Sequence, residues 1–311
     1  MRIIFAGTPQ FAADHLSALC DHLSCEVLAV ITQPDKPGKR GKKPIPSPVK
    51  ALAVERGLPV LQPHRLTAGD LSHFDFDLLI VVAYGQILKP AVLAQPKIAA
   101  LNVHASSLPR WRGAAPIQRA ILAGDTSTGI CLMAMDAGLD TGPILAHFPC
   151  LIASDETSGS LQAKLSIIGC DALPKAIDSI AAHGIQAKPQ PEQGVTYAHK
   201  IEKTEAKIDW SKAATTICQQ ILGLSPDPVA YTLVGDQRLR CHHAVVAATE
   251  ANDAIPGTVL EKTKSGLRVQ CGVGQIWITQ LQLPTGKGTL VSGADLANAR
   301  ISGLMPGTLF Q

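Results

Sequence analysis

Aromatic side chains make up only 4% of this 311-residue chain, and charged ones only 17%. With a net charge of +3, the sequence is mildly basic and far from the charge of a dedicated nucleic-acid binder. Such a partner would have to be met by a local patch. No apolar run approaches the ~18 to 20 residues that a membrane-spanning helix needs. The opening MRIIFAG is too short an apolar stretch for a secretory signal. The eight cysteines, Cys20, Cys25, Cys131, Cys150, Cys170, Cys218, Cys241 and Cys271, are scattered, without a C-x-x-C pair or a Cys/His pair at metal-ligand spacing. They read as small buried hydrophobes in a reducing compartment. Also missing is a G-x-G-x-x-G turn after the first strand, which argues against a dinucleotide site. A cytoplasmic protein with no metal and no membrane segment is the expectation.

What is present is material for a large core. Hydrophobic residues are 46% of a chain longer than one typical domain, so two domains are expected. Short β-branched runs at residues 2–6, 25–31, 60–61, 78–82 and 99–104 alternate with helical spacing after Pro9, over 49–56 and over 87–93. Strand and helix in alternation imply right-handed crossovers and a mostly parallel sheet. Residues 129–135 and 144–150 read as a paired hairpin. Beyond Ser154-Asp155-Glu156-Thr157, apolar residues from Leu161 to Ile180 mark one long helix or a pair broken at Pro174. From 186 to 204 the composition shifts to Pro, Gln, Lys and Glu, which reads as a linker. After a helix over 213–222 come short strands near Ala230, Leu239, Gly257, Leu267 and Ile276, with no crossover helices. They imply a small barrel.

The most informative stretch covers residues 101–142. The strand ending in Asn102-Val103-His104 points both polar side chains to one face, because strand side chains alternate with period two. In an open α/β sheet, ligands bind beyond the carboxyl ends of the strands, where these two residues lie. Taken alone, each could simply cap a loop or close a turn. A Ser106-Ser107-Leu108-Pro109 turn follows, then Arg110-Trp111-Arg112-Gly113, and a Gly138-Leu139-Asp140-Thr141-Gly142 loop lies farther on.

This combination resembles the folate-dependent formyltransferases, whose signature is an Asn-x-His strand end, a Ser-Leu-Leu-Pro turn and an Asp in a Gly-Leu-Asp-Thr-Gly loop. The Arg-Trp-Arg-Gly-Ala-Ala-Pro-Ile-Gln run at 110–118 is most similar to the branch that formylates methionyl-tRNA. The resemblance implies a Rossmann-like, mostly parallel sheet with a smaller C-terminal OB-like β-barrel domain. It divides the chain into a catalytic domain at 1–188, a linker at 189–206, and a tRNA-contacting barrel at 207–311. It implies Asn102, His104 and Asp140 as catalytic residues. Ser106, Ser107, Leu108 and Pro109, with Val82 and Tyr84 and the backbone around them, would hold the folate. Gly7-Thr8-Pro9 would line the approach of the acceptor, although a plain strand-to-helix turn explains it equally well.

Between Lys36 and Lys43 five cations, Lys36, Lys39, Arg40, Lys42 and Lys43, are spaced by Gly and Pro. A charge run of this kind is usually a solvated loop, but here it begins at the same sheet edge as Asn102 and His104. By resemblance it is the loop that meets the tRNA, where each cation that neutralises a phosphate releases a counterion. The sequence departs from the family pattern at four places: Lys39 for a Gly, Ala105 for a Gly, Ser107 for a Leu, and Pro226-Asp227-Pro228 where an aromatic stands between the prolines.

Formyl transfer asks for a neutral amine, a donor to the developing oxyanion and a path for the proton. Asn102 can supply the donor, while His104 oriented by Asp140 can supply the path. Neither a metal nor a nucleophilic serine is required. The expectation is therefore a monomeric enzyme that moves the formyl group of 10-formyltetrahydrofolate to methionyl-initiator tRNA. The alternative is a folate-dependent N-formyltransferase acting on a nucleotide-linked amino sugar, which has no use for the basic loop. A nucleotide- or tRNA-binding module without catalysis would leave Asn102, His104 and Asp140 unexplained.

Overall fold

The computed structural model describes residues 1–37, 44–248, 253–283, 288–299 and 304–311. The chain divides into two compact units, each assembled from three segments. The first is Met1–Gly113, Ser127–Leu151 and Gln162–Ala198; the second is Ala114–Thr126, Ile152–Leu161 and His199–Gln311.

The first unit is built on a seven-stranded sheet. From edge to edge its strands are Ile144–Leu151, Ser127–Ala134, Ala99–His104, Leu78–Val82, Arg2–Gly7, Glu26–Ile31 and Val60–Leu61. The five from Ala99–His104 onward run parallel. The hairpin Ser127–Ala134 and Ile144–Leu151 joins antiparallel at the other edge. Every residue of Leu78–Val82 is buried, as expected of a central parallel strand covered on both faces. The Tyr84 side chain sits in the same core, with Phe76, Leu71 and Val92.

One helix differs from the sequence expectation and another resolves an alternative it left open, each for a physical reason. The pattern over 87–93 forms only the four-residue helix Pro90–Leu93. Pro90 disfavours helical backbone in the residue before it, so the helix can begin only at the proline and Ile87 is left exposed. Ser158–His183, in contrast, is a single helix of 26 residues with Pro174 inside it. Pro174 forfeits one backbone hydrogen bond. Burial of Leu161, Leu165, Leu173, Ile177 and Ile180 along one stripe offsets that loss. Where this helix meets Gln10–Cys20, a Cβ on Gly169 would lie 2.2 Å from His15 Nε2, so only glycine lets the buried imidazole fit.

In the second unit, helices Pro116–Leu122 and Ala214–Gly223 pack together. An antiparallel sheet follows in the order Ala230–Val234, Gln237–Ala248, Gln275–Gln282, Gly266–Gln270 and Val259–Thr263, with Leu290–Ser292 on the far end of Gln275–Gln282. Its two edges are joined by the last residues of the chain. Leu233 and Gln311 exchange backbone hydrogen bonds of 2.9 and 3.1 Å, and Val259 N donates to Thr308 O at 2.8 Å. This closes the sheet into a barrel, the arrangement that removes exposed edges. Leu239, Cys241, Leu267, Ile276 and Ile278 fill its interior. No helix among the described residues is long and apolar enough to cross a membrane.

Candidate active site

Asn102 and His104 end the strand Ala99–His104, paired in register with Met133 and Cys131 of the neighbouring strand. Both are nearly enclosed, with 9% and 5% of their surface exposed. Asp140 comes to them on a loop that is folded from within. Asp136 Oδ1 accepts from Gly138 N at 3.0 Å and from Thr141 Oγ1 at 2.6 Å, which draws the turn together. The backbone of Asp140 is left-handed, with φ of 51°, a conformation costly for most residues and more tolerable for Asp. Gly142 closes the loop against the sheet, where a Cβ would lie 1.8 Å from the Ala134 carbonyl oxygen.

The three side chains converge. Asn102 Nδ2 donates to Asp140 Oδ1 over 3.4 Å, a long and weak bond. His104 Nδ1 faces Asp140 Oδ2 at 3.6 Å, and Gly113 N donates to that same oxygen at 2.8 Å. On the far side of the ring, His104 Nε2 lies 2.9 Å from the Trp111 carbonyl oxygen. A carbonyl can only accept, so this bond assigns the hydrogen to Nε2 and turns Nδ1 toward the carboxylate. The turn between strand and helix makes this geometry possible. Trp111 adopts φ of 64°, and Ser106 Oγ, fully buried, donates to Arg110 O at 2.6 Å.

The residues expected to hold the folate lie at the same end of the sheet. Val82 and Tyr84 are buried. Burial pushes the Tyr84 phenol up to about 12, and its hydroxyl has no protein partner among the described residues. The Tyr84 carbonyl accepts from Thr8 Oγ1 at 2.9 Å and Gln33 Nε2 at 3.2 Å. Leu108 packs on Cys131 and Met133, while Pro109 O accepts from Thr196 N. Ser107 Oγ is 2.8 Å from His147 Nε2, and burial holds the His147 imidazole below its ordinary value.

Of the basic loop, Lys36 is exposed and pairs with Ile45 in a two-residue ladder. Lys39, Arg40, Lys42 and Lys43 lie outside the described residues. The loop leaves the sheet beside Asp35, whose carboxylate meets Lys50 Nζ and Gln62 Nε2 at 2.7 Å each. Lys50 first, and then Gln62, holds that carboxyl below the usual range.

Gln190 and Thr196 gave no sign in the sequence, and Arg112 showed only as part of the run at 110–118. Gln190 Nε2 donates to the carbonyls of both Asp140 and Gly142 at 2.8 Å. Arg112, itself buried, donates to Gln190 Oε1 through Nε and Nη2 at 3.0 and 2.7 Å. Thr196 Oγ1 accepts from Trp111 N at 2.9 Å. Residues 188–198 run along the site, bridging Ile144 through Lys188 and pairing Tyr197 and Ala198 with Arg112 and Gly113. Nothing local marks Gln190, which lies 50 positions from the aspartate it supports.

An amide donor, an imidazole and a carboxylate enclosed beyond the ends of parallel strands can stabilise an oxyanion and move a proton. Comparison with known proteins agrees with that chemistry. Residues 1–177 match the family described as formyl transferase, and residues 200–299 match formyl transferase, C-terminal domain. The chain is 49% identical over 306 residues to methionyl-tRNA formyltransferase of Stenotrophomonas maltophilia, covering 96% of this chain and 98% of that protein. It is 45% identical to the Stutzerimonas stutzeri protein of the same name, covering 99% and 97%. Among solved structures, an N-formyltransferase from Helicobacter canadensis in complex with folinic acid and dTDP-3-aminofucose shares the fold. Its TM-score is 0.66 at 19% identity, covering 89% of this chain and 98% of that one. HypX from Aquifex aeolicus in complex with tetrahydrofolic acid superposes with a TM-score of 0.64 at 17% identity, over 98% of this chain and 48% of its own length. By its sequence along almost the whole length and by its fold, the chain belongs to the formyl transferase family.

Proposed function

We propose that this protein transfers the formyl group of 10-formyltetrahydrofolate to the α-amino group of methionyl-initiator tRNA, in the cytoplasm and as a monomer. The observation that carries the chemistry is the convergence of Asn102 and His104 on the Asp140 carboxylate, at 3.4 and 3.6 Å. The acceptor is supported by relatives at 45–49% identity over nearly the whole chain, and by the five cations that the sequence places between Lys36 and Lys43.

The amine nitrogen adds to the formyl carbon, and the carbonyl oxygen becomes an oxyanion. Asn102 Nδ2 donates to that oxygen. Its present bond to Asp140 is long enough to exchange for a stronger one, and a preorganised donor of this kind is worth about 3 to 4 kcal/mol of barrier. The proton lost by the amine passes to His104 Nδ1, the ring nitrogen that the bond from Nε2 to Trp111 O leaves bare. Collapse of the intermediate breaks the bond from the formyl carbon to the folate nitrogen, which takes up the proton. The products are N-formylmethionyl-tRNA and tetrahydrofolate. The Trp111 carbonyl orients the ring, and Asp140, anchored by Gly113 N, balances the charge that the ring gains.

Ser106, Ser107, Leu108 and Pro109, with the backbone at Val82 and Tyr84, hold the folate in this reading. Residues 1–188 carry the chemistry, with Gln190 and Thr196 contributed by the connecting segment at 189–206, and 207–311 contact the tRNA. Lys36, Lys39, Arg40, Lys42 and Lys43 meet its phosphates.

Asn102→Ala is expected to lower kcat by about 10²- to 10³-fold, and His104→Ala by about 10²- to 10⁴-fold, in a transfer assay with labelled formyl donor. Asp140→Ala belongs to the same series. Near wild-type turnover in all three variants would overturn the reading.

A further inference from the structure

Gln190 joins the two halves of the site without touching a reacting atom. Its Nε2 donates to the carbonyls of Asp140 and Gly142, both at 2.8 Å. Its Oε1 accepts two hydrogen bonds from Arg112, at 3.0 and 2.7 Å. The guanidinium has no acceptor atom, so it dictates which end of the amide is oxygen and leaves both N–H groups for the aspartate loop. Arg112 is also one residue after Trp111, whose carbonyl receives His104 Nε2, and one before Gly113, whose N–H anchors Asp140. Two elements that must hold His104 and Asp140 in one geometry are thereby tied through a single side chain. The need for such a tie is visible in the backbone: Asp140 is left-handed, with φ of 51°, a conformation that persists only where its surroundings impose it.

We infer that Gln190 is a positioning residue for the transfer reaction, oriented by Arg112 and acting through Asp140. This rests on the reading of Asp140 as part of the catalytic group. The consequence differs from that of a general structural contact. A side chain that acts only by holding Asp140 is worth nothing once the Asp140 carboxylate is gone, whereas one that stabilises the unit as a whole keeps its effect in any background.

The experiment is a double-mutant cycle in kcat, with 10-formyltetrahydrofolate and methionyl-tRNA as substrates. It combines Gln190→Met, which keeps the length and removes the amide, with Asp140→Ala. A displacement of about 1 Å at a reacting group costs on the order of 10²-fold. Gln190→Met is accordingly expected to lower kcat about 10- to 100-fold, with KM for either substrate changing by less than about threefold. In the Asp140→Ala background the same change is expected to cost less than about twofold.

Gln190→Glu provides a second arm, for use if the methionine variant does not fold. It keeps the pair with Arg112 and removes both donors to the loop, so it is expected to lower kcat in the same way. Equal losses in both backgrounds, or turnover within about twofold of wild type for a folded Gln190 variant, would overturn the inference. A fully active Asp140→Ala would instead overturn the catalytic reading on which it rests.

Discussion

At the scale of single residues, the site depends as much on a hydrogen atom in place of a methyl group as on its polar side chains. Gly142 approaches the Ala134 carbonyl so closely that a Cβ would sit 1.8 Å away, and its own carbonyl is one of the two held by Gln190. Gly142→Ala must push the loop, and Asp140 with it, away from His104. The expected result is a fall in kcat of about 100-fold, with a loss of about 1–3 kcal/mol in stability measured by urea unfolding. Wild-type kcat in this variant would show that the loop position does not matter to the reaction. Asn102 and His104 were legible in the sequence, because period-two alternation at the end of an apolar run places two polar groups on one face. Asp140 was reached only through its resemblance to a family motif, since no rule of spacing joins a strand end to a loop 36 positions away. Gln190 was not legible at all: it lies in a Pro- and Gln-rich stretch that reads as connecting chain.

At the scale of elements, the packing of helix Gln10–Cys20 on Ser158–His183 places a titratable group where it cannot easily ionise. His15 Nδ1 lies 2.7 Å from the Phe11 carbonyl, which assigns the hydrogen to Nδ1. Nε2 is then bare, buried against Gly169. Burial lowers the His15 pKa, opposed by the Phe11 carbonyl and the Asp14 carboxylate. Because the folded value lies below the unfolded one, the unfolded chain binds the proton first as pH falls. Stability is therefore full above a pH of about 6.5 and declines as pH drops toward the lowered folded value, by at most about 1.4 kcal/mol per pH unit for one proton. In His15→Leu the slope of unfolding free energy between about pH 5 and 6.5 is expected to be shallower than in the wild type. Equal slopes would show that His15 does not titrate on unfolding. The same pair of helices shows where local rules lose to packing. A proline in mid-sequence normally ends a helix, yet Pro174 is carried within one because a continuous buried stripe passes through it. At 87–93 no such stripe compensates, and Pro90 decides where the helix starts.

At the scale of the whole molecule, two architectures were legible from period alone. Runs buried on both faces, such as Leu78–Val82, mark a parallel sheet, and short alternating strands without crossovers mark a barrel. The closure of that barrel was not legible, because residues 308–311 carry no strand pattern of their own and gain their place by pairing with both open edges. The division of the chain into units was also hidden in part. Pro116–Leu122 lies between two segments of the first unit in sequence but belongs to the second, an exchange that hydrophobic periodicity does not record.

The central claim concerns the acceptor, and one measurement tests it directly. Formyl transfer from 10-formyltetrahydrofolate is followed with two acceptors in parallel, charged initiator tRNA and a UDP-linked 4-amino sugar, at low and high salt. The account expects formylation of the tRNA alone. At subsaturating tRNA the rate should fall steeply as salt rises, since each phosphate contact contributes a slope of roughly −0.7 to −0.9 in log affinity against log salt. Formylation of the sugar alone would contradict the account; it would leave the catalytic geometry of Asn102, His104 and Asp140 in place and reduce the cations from Lys36 to Lys43 to solvated surface.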